Sequence, residues 1–213
     1  MGAIDQGWRH KYKNWIFDWS GTIVDDMALV VDATNHVMRQ YGKPEFDREG
    51  FKSSFRLPYG EWYEEVIPGV DLGEIEDHFR KGFAASEATV PVLAYTREFL
   101  LQLRSEGVRM FVCTSMDPKA FVEQSNSHAL TDFFEETYSG VLDKRKLIES
   151  MLVEHSLNKA ETVFVGDMIH DIETAHHGGI DSLGVLTGYN TFSELESAKP
   201  TRIVNDYSVF LGG

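Results

Sequence analysis

The stretch WIFDWSGTIVDD, residues Trp15 to Asp26, contains an apolar run that stops at Asp18. A Gly-Thr pair and further carboxylates follow this aspartate. A run that is apolar at consecutive positions, rather than at every second one, is typical of a strand covered on both faces of a parallel sheet. The stretch therefore predicts a buried strand with a carboxylate at its end.

Other short apolar runs follow the same pattern, at residues 108–115, 162–167, 182–188 and, more weakly, 201–206. Helical periodicity separates them, as in residues 95–107 and 144–157. This alternation predicts an α/β protein with a doubly wound parallel sheet. Such sheets bind ligands at the carboxyl ends of their strands. The side chains predicted there are Asp18, Thr114 with Ser115, and Asp167.

The segment from residue 26 to 89 differs from the rest, because it contains no convincing strand. Apolar residues between Met27 and Tyr41 recur at helical spacing, and EWYEEVI and IEDHFRKGFAA are typical of further helices. We therefore expect residues 1–25 and 90–213 to form the core domain and residues 26–89 to form a small helical domain inserted after the first strand.

The composition excludes several classes of partner. The 213 residues carry a formal net charge of −14, which argues against a nucleic-acid partner, because phosphate backbones are bound by clustered cations. Cys113 is the only cysteine, so no intrachain disulfide and no cysteine metal cluster is expected. No secretory signal and no membrane span is visible. We expect a cytoplasmic monomer or homodimer without a membrane partner.

Four motifs occur in order along the chain. They are Asp18-Trp19-Ser20-Gly21-Thr22, Thr114-Ser115, Lys144, and Gly166-Asp167-Met168-Ile169-His170-Asp171. In these motifs the chain resembles the haloacid dehalogenase (HAD) superfamily of hydrolases. The resemblance implies a Rossmann-like core with a helical type-1 cap. It also implies Mg²⁺-dependent hydrolysis of a small phosphorylated metabolite through an aspartyl-phosphate intermediate.

The resemblance also implies catalytic roles. Asp18 would be the nucleophile, and Thr114, or alternatively Ser115, would donate a hydroxyl to the phosphoryl group. Lys144 would neutralise the nucleophile and the bound phosphate as a compact positive charge. Lys146, two residues later, is an alternative to Lys144.

Oxygen ligands for Mg²⁺ are implied as well, since this ion prefers a hard octahedral oxygen shell. Asp18, the backbone carbonyl of Ser20 and Asp167 would supply protein oxygens. Asp171, one helical turn after Asp167, is expected to support the metal by holding the residues that bind it or through a water-mediated contact. Contacts to the substrate phosphoryl group are expected from Gly21, Thr22 and Ser115.

Ser20 departs from the pattern of the family, whose phosphatases usually carry an aspartate there as general acid and base. One reading is a phosphatase that acts on a good leaving group or borrows an acid from Asp25, Asp26 or His170. A second is a phosphonate hydrolase that resembles phosphonoacetaldehyde hydrolase, which requires a cap lysine. Lys43 and Lys52 are the lysines in the front half of the insert, and neither lies at the expected offset. A third is a catalytically weak phosphate-binding protein.

Substrate selection is expected from the helical insert. Its stretch SSFRLPYGEWY contains Arg56, whose guanidinium can bind a carboxylate or a second phosphate with two parallel hydrogen bonds. The alternative is that Arg56 is solvated or paired with a glutamate. The aromatic residues Trp62 and Tyr63 are expected to pack inside the insert.

Overall fold

The structure, a computed structural model, describes residues 6–211 and, for side chains, residues 7–211. The first residues, on which the expectation of no secretory signal partly rests, lie outside this range. The chain divides into two compact units. One comprises the chain up to Val24 together with Val92 onward, and the other comprises Asp25–Pro91.

The first unit contains a six-stranded parallel sheet with the strand order β3-β2-β1-β4-β5-β6. This order confirms the doubly wound α/β fold predicted from the alternation of elements. The register pairs Phe17 of β1 with Val112 on one side and Val165 on the other, so β1 is central. The strands are β1 Asn14–Phe17, β2 Arg109–Cys113, β3 Glu136–Tyr138, β4 Thr162–Gly166, β5 Asp181–Val185 and β6 Arg202–Val204.

Ten α-helices and four 3-10 turns complete the described chain. The helices are α1 Gln6–His10, α2 Met27–Gln40, α3 Arg48–Ser54, α4 Tyr59–Val66, α5 Leu72–Ala85, α6 Thr96–Ser105, α7 Pro118–Ser127, α8 Ile148–Glu154, α9 Ile169–Gly178 and α10 Phe192–Ser197. The 3-10 turns are Thr131–Phe133, Lys144–Lys146, Lys159–Glu161 and Tyr207–Phe210. Within residues 6–211, none of the helices has both the length and the apolar character needed to cross a membrane.

Alternate side chains of β1 enter two apolar layers, which explains why the strand is apolar at each position from Trp15 to Phe17. Trp15 packs edge-on against Phe99 of α6, with ring centroids 5.2 Å apart, and Phe99 stacks on Phe210 of the last turn. Ile16 belongs to a cluster on the other side. This cluster also includes Phe111, Cys113, Ile148, Met151, Leu152, Phe164 and Ala175.

The second unit is all-helical, as the sequence predicts, and α2 and α5 form its main pair. Gly82 of α5 allows this close packing, because a Cβ there would lie 3.0 Å from the Cα of Ala33. Trp62 and Tyr63 of α4 are buried inside the unit, and the Trp62 indole donates to Ser54 Oγ at 2.9 Å.

Two features of the sheet differ from the apolar pattern. β3 is three residues long, and its Glu136 is exposed while Thr137 and Tyr138 are half-buried, so it forms no apolar run that could predict it. The run at residues 182–188 leaves the sheet after Val185. The amide of Leu186 makes a last bond to the Val204 carbonyl of β6, and the next residue, Thr187, donates its hydroxyl to the Gly21 carbonyl in the turn after β1.

Candidate active site

Asp18 and Asp167 meet at the carboxyl edge of the sheet because β1 and β4 are neighbours. Asp18 follows β1 directly, and its amide donates to the Val165 carbonyl of β4 at 2.8 Å. Asp167 directly follows the last residue of β4, Gly166. In this strand order, β1 and β4 flank the point at which the winding of the sheet reverses, where open α/β sheets bind ligands.

Lys144 is fully buried and joins two of the carboxylates. Its Nζ lies 2.8 Å from Asp18 Oδ1 and 2.7 Å from Asp171 Oδ1. It begins a 3-10 turn, and its backbone amide donates to His170 Nε2 at 3.3 Å. Lys146, the alternative, has an exposed side chain that lies 3.8 Å from Asp143 Oδ2.

Asp171 is held by two partners at the start of α9. Its Oδ1 contacts Lys144 Nζ, and its Oδ2 accepts from the Met168 amide at 3.1 Å. The residue is therefore both a helix-capping group and part of the site. One carboxylate oxygen from each of Asp18, Asp167 and Asp171 lies within 4.8 Å of the others.

Glycines make room for this carboxylate cluster. A Cβ on Gly21, which has φ of +72°, would lie 2.6 Å from Asp167 Oδ2. A Cβ on Gly188 would overlap the same oxygen, and a Cβ on Gly166 would overlap the Asp171 carboxylate. The close approach of backbone to carboxylate therefore requires glycine at all three positions.

The buried charges alter the ionisation of the site. Burial raises the pKa of Asp18 to about 6, partly offset by the Lys144 ammonium. Burial, together with the Asp18 and Asp171 charges, raises the pKa of Asp167 well above its usual value. Burial alone would lower the pKa of Lys144, but Asp171 and Asp18 outweigh it and raise that pKa, so the side chain stays charged. Three carboxylates therefore face one ammonium.

This donor set fits a divalent cation. When all three carboxyl groups are ionised, two negative charges are in excess of the one ammonium, in a place where burial makes unbalanced charge costly. The oxygens are hard ligands of the kind that Mg²⁺ prefers, and no sulfur is among them. The raised pKa values of Asp18 and Asp167 describe the cost of holding these charges together without such an ion.

Thr114 and Ser115 follow β2, the other neighbour of β1. Thr114 is buried, and its Oγ1 accepts from the Met116 amide at 3.3 Å. A hydroxyl that accepts one bond keeps its proton for donation, so Thr114 can still donate to a phosphoryl oxygen. Ser115 is half-buried.

The turn after Asp18 contains the residues expected to contact substrate. The Gly21 amide donates to the Val24 carbonyl at 2.8 Å, and the Thr22 hydroxyl donates to Asp167 Oδ1 at 3.0 Å. Both groups thus hold the turn and Asp167, and their contact with a substrate stays a prediction. Ser20 is half-buried and forms a bridge with Val24.

The segment Thr187–Asn190 contacts the site at several points that the sequence motifs do not predict. The Tyr189 amide donates to Asp167 Oδ2 at 2.7 Å, and the Thr187 hydroxyl donates to the Gly21 carbonyl at 2.6 Å. Asn190 Oδ1 accepts from the Ile169 amide at the start of α9 at 2.8 Å. Polar residues at the end of the run 182–188 were the available signal, because that run ends at the same sheet edge.

The candidate proton donors and Arg56 are placed as follows. Burial, with the Lys144 and Arg145 charges, lowers the pKa of His170 to about 4, so this side chain is neutral at pH 7 and is no acid. Asp25 and Asp26 immediately precede α2 in the helical unit, and Asp25 lies 3.6 Å from Arg48. In the same unit Arg56 forms an ion pair with Glu65.

Comparison with known proteins agrees with this geometry. The family model described as haloacid dehalogenase-like hydrolase matches residues 15–185. A phosphoglycolate phosphatase from Psychrobacter arcticus is 23% identical over 92% of this chain and 93% of its own. A 5′-nucleotidase from Pseudomonas aeruginosa is 25% identical, with 92% of each chain covered.

Solved structures show the same fold. A haloacid dehalogenase-like family hydrolase from Streptococcus pneumoniae superimposes with a TM-score of 0.81 at 19% identity. The superposition covers 92% of this chain and 95% of the other. The family model spans most of the sequence, and the motifs that suggested the resemblance lie within it. The chain therefore belongs to the haloacid dehalogenase-like hydrolases and is an enzyme of their phosphatase-like kind.

Proposed function

We propose that the protein is a Mg²⁺-dependent phosphatase that hydrolyses a small phosphorylated metabolite through an aspartyl-phosphate at Asp18. The observation that carries this proposal is the position of Lys144 Nζ, which lies within 2.8 Å of carboxylate oxygens of both Asp18 and Asp171. A buried ammonium beside a carboxylate nucleophile supplies the positive charge that an incoming phosphoryl group needs.

In the first step, a carboxylate oxygen of Asp18 attacks phosphorus. The bond from phosphorus to the leaving oxygen breaks, and its electron pair stays on that oxygen. Lys144 offsets the charge on the transferred group, and the Thr114 hydroxyl donates to one of its oxygens. In the second step, water attacks the same phosphorus, phosphate leaves, and the Asp18 carboxylate is restored.

Asp18, Asp167 and the Ser20 carbonyl are the residues we propose to hold Mg²⁺, with Asp171 in support. When bound, the ion would act as a Lewis acid that offsets the negative charge on the phosphoryl oxygens. The excess negative charge of the carboxylate cluster supports this assignment. Thr22 and the Tyr189 amide each hold one oxygen of Asp167, which keeps this carboxylate in a fixed orientation.

Ser20 limits which leaving groups can depart easily. A hydroxyl at this position cannot act as an acid at neutral pH, and general acid–base catalysis contributes roughly 10²–10⁴-fold. The neutral His170 does not replace it. We therefore propose that substrates with a stable leaving anion, such as aryl phosphates, are hydrolysed faster than alkyl phosphates.

Two relatives indicate which metabolites to test first. One is named for phosphoglycolate and the other for 5′-nucleotides. Phosphoglycolate carries a carboxylate, a group that Arg56 can bind with two hydrogen bonds if it gives up its pairing with Glu65. The role of Arg56 stays a prediction. Under it, Arg56→Ala raises KM for phosphoglycolate and leaves KM for an aryl phosphate unchanged.

The direct test measures phosphate release with Mg²⁺ from an aryl phosphate, phosphoglycolate, a 5′-nucleotide and simple alkyl phosphates. We expect turnover of at least one of them by the wild type, loss on addition of EDTA, and no turnover by Asp18→Asn. Equal inactivity of wild type and Asp18→Asn on the whole panel, with Mg²⁺ bound to both, would favour a non-catalytic phosphate-binding protein.

A separate incubation tests whether the protein is a phosphonate hydrolase. Incubation with phosphonoacetaldehyde and borohydride should trap no lysine adduct and release no acetaldehyde. Labelling of Lys43 or Lys52, with acetaldehyde as product, would replace the phosphatase proposal by cleavage of a carbon–phosphorus bond.

A further inference from the structure

Tyr207 lies beyond residues 15–185, the part matched by the family model, yet it reaches the site. It begins the last 3-10 turn, which Asp206 caps by accepting from the Ser208 amide at 2.8 Å. Its ring is fully buried and stacks on Phe99, with centroids 4.9 Å apart and planes 13° apart. Packing therefore fixes the position of the ring, and with it the direction in which the hydroxyl group points.

The Tyr207 hydroxyl connects to Asp167 through a single residue. It donates to the Thr22 carbonyl at 3.1 Å, in a buried environment. The Thr22 hydroxyl in turn donates to Asp167 Oδ1 at 3.0 Å. Burial, with the Asp167 and Asp18 charges, raises the pKa of Tyr207 well above its usual value, so the hydroxyl keeps its proton and remains a donor.

Anchoring of the Thr22 carbonyl constrains the orientation of its side chain. The carbonyl and the side chain share one Cα, so a peptide plane held by Tyr207 restricts the backbone angles that aim the Thr22 hydroxyl. Thr22 lies in the same turn as the half-buried Ser20, two residues before it, whose backbone carbonyl is a predicted metal ligand. Without the phenol, the buried carbonyl would lack this donor, and such groups are costly to leave unpaired.

We propose that Tyr207 is a positioning residue, which acts through Thr22 to orient Asp167 for Mg²⁺ binding and phosphoryl transfer. The activity part of this inference rests on the proposed function, whereas the metal-binding part does not. Residues that orient the ligands of a metal typically affect metal affinity or activity by roughly 10–100-fold.

The test uses Tyr207→Phe, which removes the hydroxyl and keeps the ring. The Mg²⁺ concentration that gives half of the metal-induced rise in Tm should increase roughly tenfold. The kcat for the best substrate of the panel, measured at saturating Mg²⁺, should fall at least several-fold, with little change in its KM. These readouts are expected because the hydroxyl acts on Asp167 rather than on substrate.

Phe210→Leu is the matched control, since Phe210 ends the same 3-10 turn and stacks on Phe99 with ring centroids 5.2 Å apart. This variant weakens the aromatic packing but keeps both the Tyr207 hydroxyl and the ring that Tyr207 stacks on. It should lower Tm without moving the Mg²⁺ midpoint or kcat.

A second arm combines Tyr207→Phe with Thr22→Val. If Tyr207 acts through Thr22, the double variant should have nearly the Mg²⁺ midpoint of Thr22→Val alone.

The outcomes separate this inference from the proposed function. A Tyr207→Phe protein that loses Tm like Phe210→Leu, with an unchanged Mg²⁺ midpoint and kcat, would reduce Tyr207 to a packing residue. Additive effects in the double variant would remove Thr22 as the connection. If the wild type binds Mg²⁺ and hydrolyses nothing, the proposed function fails while the midpoint shift still decides the positioning role. A wild type without a Mg²⁺ response would overturn both.

Discussion

Two opposing effects act on the ionisation of Asp18. Burial favours the protonated form of its carboxyl group, and the Lys144 ammonium favours the charged form. The pKa near 6 means that, without metal, the folded protein retains this proton at pH values where the unfolded chain, with an ordinary pKa of 3.8, has lost it. Stability from this group is therefore present at low pH and is lost as pH rises through about 6.

The metal-free protein should show this loss directly. In EDTA-treated wild type, the free energy of unfolding should fall between pH 4 and pH 7 by on the order of 1–3 kcal/mol more than in Asp18→Asn. Urea unfolding across this range measures the difference. Parallel pH curves for the two proteins would contradict the raised pKa of Asp18.

Ser20 is the residue at which the chain departs from the phosphatase pattern. Ser20→Asp should accelerate hydrolysis of alkyl phosphates by roughly tenfold or more, and that of aryl phosphates much less, because only the poor leaving groups need a proton. Ser20→Asn, similar in size and without an acid, is the control and should give no gain. Steady-state kcat values on both substrate classes decide the matter. No gain from the aspartate would indicate another proton donor or another slow step.

At the scale of elements, the segment Thr187–Asn190 holds the turn after β1 against the end of β4. Gly188→Ala should disturb Asp167, because a Cβ at residue 188 would overlap its Oδ2. We expect a loss of activity of at least tenfold and weaker Mg²⁺ binding.

Gly107→Ala is the control. A Cβ at residue 107 would meet open space, so the only cost is that of an alanine at a φ of +72°. We expect the free energy of unfolding to fall by about 1 kcal/mol and the activity to stay unchanged. Equal activity of the two variants would contradict the packing role of Gly188.

Strands with long buried runs were predictable, and the elements defined by distant partners were not. Residues 14–17 and 162–166 are buried at every position, so their apolar runs predicted β1 and β4. β3 is held by backbone bonds to β2 and has no apolar run of its own. Its pairing is a tertiary effect that a local pattern does not contain.

The same distinction applies to the candidate site. Asp18, Lys144 and Asp167 were named from the sequence because each side chain bears a charge that the proposed chemistry needs. Thr187 and Tyr207 act through backbone carbonyls of Gly21 and Thr22, more than 160 residues away in the chain. No spacing rule links such partners, and only the folded topology brings them together.

At the scale of the whole molecule, the net charge of −14 opposes the approach of a phosphate dianion. Salt screens this repulsion, since the Debye length falls from about 30 Å at 0.01 M to about 8 Å at 0.15 M. We therefore expect kcat/KM for a dianionic substrate to rise with NaCl over this range at constant Mg²⁺ and pH. A monoanionic substrate, as control, should respond less. A fall with salt for the dianion would indicate that local positive charge dominates its approach.

The roles proposed for Lys144 and Thr114 require that Asp18 takes the phosphoryl group onto its own carboxylate. The most direct measurement is rapid acid quenching during turnover, followed by borohydride reduction and peptide mass spectrometry. An acyl phosphate at Asp18 would be reduced to homoserine at position 18, and we expect this residue in wild type and its absence in Asp18→Asn. Undiminished turnover by Asp18→Asn, or a phosphoryl group trapped on a different side chain, would contradict the claim.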